Sequence, residues 1–238
     1  MNRTAILFDM DGLMVDTEPL ARAAWERVIA PFGLTMTDDL YGRMLGRRTH
    51  ESAQLVLDML TLPLSRDELV ERKTVLFLDS LARGVPVMPG LWTLLDALDA
   101  RGLLWAVATS TPRAVAEIIL TNLGVVGRYR ALACGDEVAR GKPAPDIFLL
   151  AAARLGVVPA ACLALEDSAA GCAAAAAAGM RVVAVGPAAI AVPTAANGAA
   201  PFACAYRRYP SLAEVAAELD ELLLDKESAG FVAPLCLF

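Results

Sequence analysis

The chain has 238 residues and a formal net charge of −6, and 57% of its residues are hydrophobic. This length is sufficient for one large domain or for a core with a smaller second unit. The negative net charge argues against nucleic acids and anionic membranes as partners, because both are themselves negatively charged. The most apolar region, 182–206, is rich in alanine and interrupted by prolines and glycines, so we expect no membrane-spanning helix.

The five cysteines are scattered along the chain, without a C-x-x-C pair or a neighbouring histidine cluster. This distribution favours buried, reduced thiols. The first predicted strand begins within the first few residues, which leaves no space for a signal peptide. We therefore expect a cytoplasmic protein.

The first predicted element is a short apolar strand over residues 4–8. Residues 16–83 then show helical patterns and no convincing strand. Apolar residues recur at helical spacing over 18–32, and Ser65 with Glu68 forms a capping box that opens a further helix. These patterns predict an all-helical insert.

From Pro89 onward, predicted helices and strands alternate regularly. Thr111 is predicted to be an N-cap, because Pro112 suits the first position of a helix. The predicted strands are 103–108, 131–134, 162–166 and 181–185, and the predicted helices are 89–102, 111–124, 145–155, 168–178 and 211–224. The alternation predicts an α/β fold, with a doubly wound parallel sheet and helices on both faces.

Polar residues follow the predicted strands at the sheet edge where ligands of such folds bind. Asp9 and Asp11 follow the first strand and point the same way, so their charges require a metal ion, a lysine or both. The other polar residues at this edge are Thr109, Ser110, Glu166 and Asp167, which Lys142 joins from a loop. Together they combine oxygen ligands for Mg²⁺, donors for an oxyanion and a fixed positive charge, which is what phosphoryl transfer requires.

Four segments resemble the signature motifs of the haloacid dehalogenase-like superfamily, namely 8–12, 108–110, 141–146 and 166–171. Residues 11–19, followed by a helical insert, resemble the subgroup that includes β-phosphoglucomutase and many sugar-phosphate phosphatases. The resemblance implies a Rossmann-like catalytic core with an inserted α-helical cap domain. The expected domains are 1–16 with 84–238 for the core and 17–83 for the cap.

The resemblance also implies a role for each motif residue. Asp9 is the expected nucleophile that becomes an aspartyl-phosphate, and Asp11 is the expected general acid and base. The expected ligands of Mg²⁺ are Asp9, Asp11 through its backbone carbonyl, and Asp167, with Glu166 bound directly or through water. The expected phosphate-binding groups are Thr109, the Ser110 amide and Lys142.

Substrate selection in this subgroup usually depends on the cap, which closes over the site and excludes water. The turn 45–49 resembles the specificity loop of the cap. Arg47 or Arg48 could contact a second anionic group of the substrate, although two solvent-exposed arginines are an equal alternative. Glu18, together with Thr17, lies near the expected hinge and could line the pocket.

The predicted function is a Mg²⁺-dependent phosphatase that acts on a small phosphorylated metabolite, in particular a sugar phosphate. A phosphomutase of the β-phosphoglucomutase type is the main alternative, but Ala21 and Thr49 replace the histidine and arginine expected of one. A metal-independent dehalogenase does not require the full carboxylate set, and a phospho-aspartate signalling module does not match the motif order. A non-catalytic sugar-phosphate binder is compatible with the motifs, but the intact catalytic set argues against it. The sequence leaves open whether the protein is a monomer or a homodimer.

Overall fold

The computed structural model describes residues 5–44, 47–191 and 202–224. Six strands form one sheet in the spatial order β3-β2-β1-β4-β5-β6, and every neighbouring pair is parallel. The strands are β1 Ala5–Phe8, β2 Leu104–Ala108, β3 Ala131–Ala133, β4 Cys162–Glu166, β5 Arg181–Val185 and β6 Arg207–Tyr209. The chain builds one half of the sheet outward from β1 and then the other half, which confirms the predicted doubly wound architecture.

The α-helices within the described residues are α1 Glu18–Ile29, α2 Asp38–Met44, α3 Thr49–Met59, α4 Arg66–Leu81, α5 Leu91–Ala100, α6 Arg113–Leu123, α7 Asp146–Leu155, α8 Ala169–Ala177, α9 Pro187–Ile190, α10 Leu212–Ala217 and α11 Leu219–Leu224. None of these helices has the combined length and hydropathy needed to cross a membrane.

The two faces of the sheet carry separate hydrophobic clusters, because successive residues of a strand point to opposite faces. Ile6 and Phe8 of β1 belong to one cluster, which is covered by residues of α5, α6, α10 and α11. Ala5 and Leu7 belong to the other cluster, which is covered by α7, α8 and α9. The second cluster is rich in alanine, and these small side chains let helices lie close to the sheet.

Helices α1 to α4 form a helical bundle with a hydrophobic cluster of its own, which includes Trp25, Val56 and Leu69. In its described part, the predicted all-helical segment therefore contains helices joined by loops and no strand. The bundle also contributes Phe77 and Leu81 to the cluster around β1. The limits 17–83 for a cap domain stay a prediction, since buried contacts join the bundle to the sheet.

Three sequence predictions about local structure were wrong. The prediction omitted β6, a three-residue edge strand whose arginines are exposed and give it no apolar signal. The predicted helix 211–224 is two helices, because the backbone at Glu218 departs from helical geometry with φ −103° and ψ 14°. Pro112, and not Thr111, is the residue at the N-cap of α6.

Several other local predictions were confirmed. Ser65 and Glu68 form the predicted capping box at the start of α4. The thiols of Cys134, Cys162 and Cys172 are free and buried, and Cys204 is buried as well. Cys236 and the apolar tail 226–238 lie outside the described residues.

An ionic network centred on Glu137 fixes the segment after β3. The Glu137 carboxylate accepts hydrogen bonds from Arg113 and Arg154 at 2.8 Å each and from the Cys134 amide at 2.9 Å. Both guanidinium groups also donate to the Leu132 carbonyl. The hydrogen bond from Arg154 is the largest of the effects that lower the pKa of Glu137 to about 2.

We expect Glu137→Gln to remove a part of the stability that depends on pH. A carboxylate whose pKa is lowered in the folded state stabilises the protein above its unfolded pKa, here 4.5, and loses that contribution as the pH falls toward 2. The variant should therefore have a lower urea midpoint than the wild type at pH 7, and the difference should disappear at about pH 2. Glu117→Gln, at the exposed partner of Arg113, should change the midpoint little at either pH. Equal midpoints for the wild type and the Glu137→Gln variant at pH 7 would contradict this account.

Candidate active site

The carboxyl ends of three adjacent strands converge on one small site. Asp9 follows β1, Thr109 follows β2 and Glu166 ends β4, and β1 lies between the other two strands. The exposed fractions of the three residues are 6%, 0% and 0%. The parallel sheet therefore brings together polar groups that are far apart in the sequence and buries them.

Lys142 supplies a fixed positive charge within this group. Its Nζ donates to Asp9 Oδ1 and to Glu166 Oε1 at 2.5 Å each. The lysine is carried by the loop before α7, where the Ala144 amide donates to the Gly141 carbonyl and an Arg140–Asp146 ion pair closes the loop on the helix. Lys142 therefore contacts two of the carboxylates with which the sequence analysis grouped it.

Three carboxylates form an acidic cluster, in which oxygen atoms of Asp9, Glu166 and Asp167 lie within 4.8 Å of one another. Glu166 is also engaged elsewhere, because its Oε2 accepts hydrogen bonds from the Ser168 amide at 3.1 Å and the Ser168 hydroxyl at 2.9 Å. Ser168 caps α8 through a hydrogen bond from the Gly171 amide. The carboxylates of Asp9 and Asp167 therefore have more oxygen lone pairs available for a cation than that of Glu166.

Gly12 is required at its position by two features. Its φ of +83° lies in the left-handed region, and an added Cβ would lie 2.1 Å from Asp167 Oδ2. A side chain at residue 12 would therefore strain the backbone and displace a carboxylate of the acidic cluster.

The electrostatics of the acidic cluster show an excess of negative charge. Burial is the main cause that raises the pKa of Asp9 to about 7, with Lys142 opposing it and Glu166 and Asp11 adding to it. Burial, followed by Asp9 and Glu166, raises the pKa of Asp167 well above its usual value. Burial by itself would lower the pKa of Lys142, but the adjacent carboxylates outweigh it and raise that pKa. A divalent cation with a preference for oxygen ligands fits this donor set and its uncompensated charge.

Asp11 lies beside the cluster and has different partners. Its carboxylate accepts hydrogen bonds from the hydroxyls of Thr17 at 2.6 Å, Thr109 at 3.1 Å and Thr111 at 2.8 Å. These threonines come from the start of α1 and the loop after β2. The role of Thr111 was missed, since the Thr-Pro pair suggested only a helix cap, and its hydroxyl contacts a residue 100 positions away.

Ser110 follows Thr109 directly at the end of β2 and is partly buried. Its carbonyl lies against Gly135, where an added Cβ would approach the oxygen to 2.1 Å. This close approach holds the loop after β2 against the segment after β3.

The three predicted specificity residues lie in different surroundings. Glu18 is exposed at the start of α1, and its carbonyl accepts a hydrogen bond from the Tyr41 hydroxyl. Arg47 is also exposed, and its Nε donates to the Arg43 carbonyl at 2.8 Å within the bundle. Arg48 is partly buried, and its Nη2 reaches the Val138 carbonyl at 3.3 Å. Among these three, only Arg48 has a side-chain hydrogen bond to the part of the chain beside Lys142.

The structure adds Lys73, which the sequence analysis missed. It is 8% exposed on α4, with its Nζ 4.3 Å from the ring centroid of Phe77 and 5.8 Å from that of Trp25. Burial lowers the pKa of Lys73 to about 8, and Asp11 is the charged group that opposes this effect. The available signal was a lysine at i+4 spacing between Leu69 and Phe77, on the apolar face of the helix.

Comparisons with known proteins place this fold and site in one family. A family model of haloacid dehalogenase-like hydrolases matches residues 4–179. The chain belongs to this family of hydrolases, as its four motifs indicated.

Two curated relatives and one solved structure illustrate the similarity. The chain is 37% identical over 188 residues to a probable pseudouridine-5'-phosphatase of Drosophila melanogaster, covering 76% of this chain and 81% of the relative. It is 36% identical over 178 residues to the fructose-1-phosphate phosphatase YqaB of Escherichia coli strain K12, covering 75% and 94%. A crystal structure of mutant CbbY from Rhodobacter sphaeroides in complex with xylulose-(1,5)bisphosphate has a TM-score of 0.78 and 32% identity, covering 90% of this chain and 96% of the other.

Proposed function

We propose that this protein is a Mg²⁺-dependent phosphatase that hydrolyses a small phosphate monoester, in particular a sugar phosphate, through an aspartyl-phosphate intermediate. The observation that carries the proposal is the buried ion pair of Lys142 with Asp9, at the strand end beside Thr109. A buried carboxylate is suited to attack a phosphoryl group, and the adjacent fixed ammonium is suited to compensate the negative charge of that group. The phosphatase names of the two curated relatives support the same chemistry.

In the proposed first step, a carboxylate oxygen of Asp9 attacks phosphorus in line while the bond to the leaving oxygen breaks. The Ser110 amide and the Lys142 ammonium donate to the phosphoryl oxygens, and the Thr109 hydroxyl joins them by exchanging its hydrogen bond to Asp11 for one to the phosphoryl group. Lys142 already bridges Asp9 and Glu166, so its charge is in place before the substrate arrives. Such preorganised donors stabilise the transition state without reorganisation during the reaction.

Asp11 is the proposed proton carrier of both steps. It would donate a proton to the departing alkoxide and later accept one from the water that hydrolyses the intermediate. The hydroxyls of Thr17, Thr109 and Thr111 hold its carboxylate beside the acidic cluster. We propose that Thr17 also links this residue to the helical bundle, because α1 begins at the next position.

The proposed metal ligands are the carboxylates of Asp9 and Asp167 and the backbone carbonyl of Asp11, with Glu166 acting through water. The excess negative charge of the buried cluster supports a divalent cation there. When bound, Mg²⁺ supplies positive charge to the phosphoryl oxygens and to the carboxylate that attacks them.

We propose that residues 17–83 act as a cap that sets the substrate and excludes water. One contact and one longer-range charge interaction support this role. The Thr17 hydroxyl donates a hydrogen bond to Asp11, and Asp11 raises the pKa of Lys73, which is buried on α4, against the effect of burial. Substrates named in the relatives and neighbour are small sugar or nucleoside phosphates, which suit a site closed by such a unit.

The proposal is tested by measuring phosphate release from a panel of monoesters, with Mg²⁺ and with a chelator. The panel includes pseudouridine 5'-phosphate, fructose 1-phosphate, xylulose 1,5-bisphosphate and the glucose phosphates. We expect release from at least one ester and loss of activity in the chelator. Absence of release from every ester, or conversion of glucose 1-phosphate to glucose 6-phosphate without release, would overturn the proposal in favour of a binding protein or a mutase, respectively.

A further inference from the structure

Arg48 connects the helical bundle to the loop that carries Lys142. It lies directly before α3, where its backbone is extended (φ −67°, ψ 150°). The hydrogen bond from its Nη2 reaches the carbonyl of Val138, which is 90 positions away in the sequence. This contact therefore joins two parts of the fold that the chain connectivity leaves separate.

The same guanidinium group lies against the backbone of Gly141. A Cβ added at Gly141 would lie 2.7 Å from Arg48 Nε and 3.2 Å from Arg48 Nη2. The φ of Gly141 is outside the positive range, so the local backbone conformation does not itself require glycine. A side chain at position 141 would therefore displace the guanidinium group of Arg48.

Gly141 directly precedes Lys142, and this makes the contact relevant to the site. The Lys142 ammonium has little freedom, because it is buried and lies 2.5 Å from both Asp9 and Glu166. A displacement of the Gly141 backbone would be transmitted through one peptide unit to the stem of Lys142. Misplacement of a reacting or charge-stabilising group by about 1 Å can reduce a rate about a hundredfold.

The contact is not explained by ion pairing. Arg48 Nε is buried without a hydrogen-bond partner, and no carboxylate pairs with the guanidinium among residues 5–44, 47–191 and 202–224. A buried donor without an acceptor opposes folding. Arg48 thus keeps an energetically unfavourable donor at a place where its side chain contacts the loop before Lys142.

We propose that Arg48 is a positioning residue that ties the helical bundle to the 138–141 loop and so sets the position of Lys142. The inference rests on the proposed function, since it assigns Lys142 to the phosphoryl group. It differs from the sequence expectation that Arg48 contacts a second anionic group of the substrate. A positioning residue affects all phosphate esters alike, whereas a substrate contact affects only those with the second group.

The test compares Arg48→Ala, Arg48→Lys, Gly141→Ala and the double variant Arg48→Ala/Gly141→Ala with the wild type. We expect Arg48→Ala to lower kcat about ten- to a hundredfold for mono- and bisphosphates alike, with a smaller change in KM. Arg48→Lys should recover little, because an ammonium lacks the flat guanidinium that fits against Gly141. Gly141→Ala should lower kcat by itself but lower it little further in the Arg48→Ala background, because both changes remove the same contact.

The control is Arg43→Ala, an exposed arginine of α2 whose guanidinium contacts Met59 Sδ, and it should retain wild-type kcat. Unfolding midpoints verify that each variant folds. If Gly141→Ala does not fold, the two Arg48 variants are sufficient to test the proposal. A loss confined to bisphosphates, or fully additive effects of the Arg48 and Gly141 changes, would overturn the proposal.

Calorimetry with inorganic phosphate and Mg²⁺ separates this inference from the proposed function. We expect phosphate to bind about tenfold more weakly to Arg48→Ala than to the wild type or Arg43→Ala, and equal affinities would refute the positioning role. A wild type that binds phosphate but hydrolyses no ester would refute the phosphatase proposal, while the affinity comparison would still decide the role of Arg48.

Discussion

Replacement of Asp9 by asparagine is expected to lower kcat for phosphate-ester hydrolysis by about 10⁴-fold or more, as removal of a catalytic nucleophile does in other enzymes. An amide has the shape of the carboxylate but not its nucleophilic charge, so no aspartyl-phosphate can form. The substitution also removes a buried negative charge from a cluster that holds too many of them.

The same variant should fold normally, and this distinguishes loss of the nucleophile from loss of the structure. Lys142 keeps its second partner, Glu166, at 2.5 Å. We therefore expect its urea midpoint without metal to be no lower than that of the wild type. The control is Asp58→Asn on the exposed face of α3, where the carboxylate accepts a hydrogen bond from Gln54. If the Asp9→Asn variant kept more than about a hundredth of wild-type kcat, another group would have to attack phosphorus.

Replacement of Lys142 by methionine should reduce both activity and stability. Methionine retains much of the side-chain volume but removes the charge that faces Asp9 and Glu166. We expect kcat/KM to fall about a thousandfold, because a preorganised donor to the phosphoryl oxygens is lost. Removal of one member of a buried ion pair costs about 3 kcal/mol or more, since the other member is left uncompensated.

The two effects can be measured separately. The urea midpoint in a chelator reports the loss of the counter-charge, and it should recover in part when Mg²⁺ is added, because the cation compensates the same carboxylates. The control is Arg83→Met, which removes a positive charge from an exposed ion pair with Asp79. It should leave both kcat/KM and the urea midpoint near the wild-type values. An unchanged midpoint for Lys142→Met without metal would show that the buried pair contributes nothing to stability.

The sequence predicted the strand ends well because the signal there is local. An apolar run that ends in Asp9 or in Glu166 marks both a buried strand and the position where it leaves the sheet. Parallel strands end at a common edge, so these residues could be expected to meet. The structure places them at the ends of the adjacent strands β1 and β4, and Thr109, at the end of β2, donates to Asp11.

The features that were missed have weak or ambiguous local signals. Thr111 precedes a proline and suggested a helix cap, but a tertiary contact with Asp11 takes its hydroxyl. Lys73 lies on the apolar face of a helix, where the pattern alone does not distinguish a misplaced charge from a functional one. β6 has two exposed arginines and is a strand only because the edge of β5 pairs with it.

The sequence by itself determined the alternating α/β order, the helical insert and the motif residues Asp9, Asp11 and Lys142. Periodicity and motif spacing are local properties, so they can be read without knowledge of the tertiary contacts. Only the tertiary structure decided which groups touch. The Lys142 ammonium reaches Asp9 across 133 positions, and Arg48 reaches the loop before Lys142 across 90. Contacts of this kind depend on how loops close and how a helical bundle sits beside a sheet, and no local pattern of residues encodes that geometry.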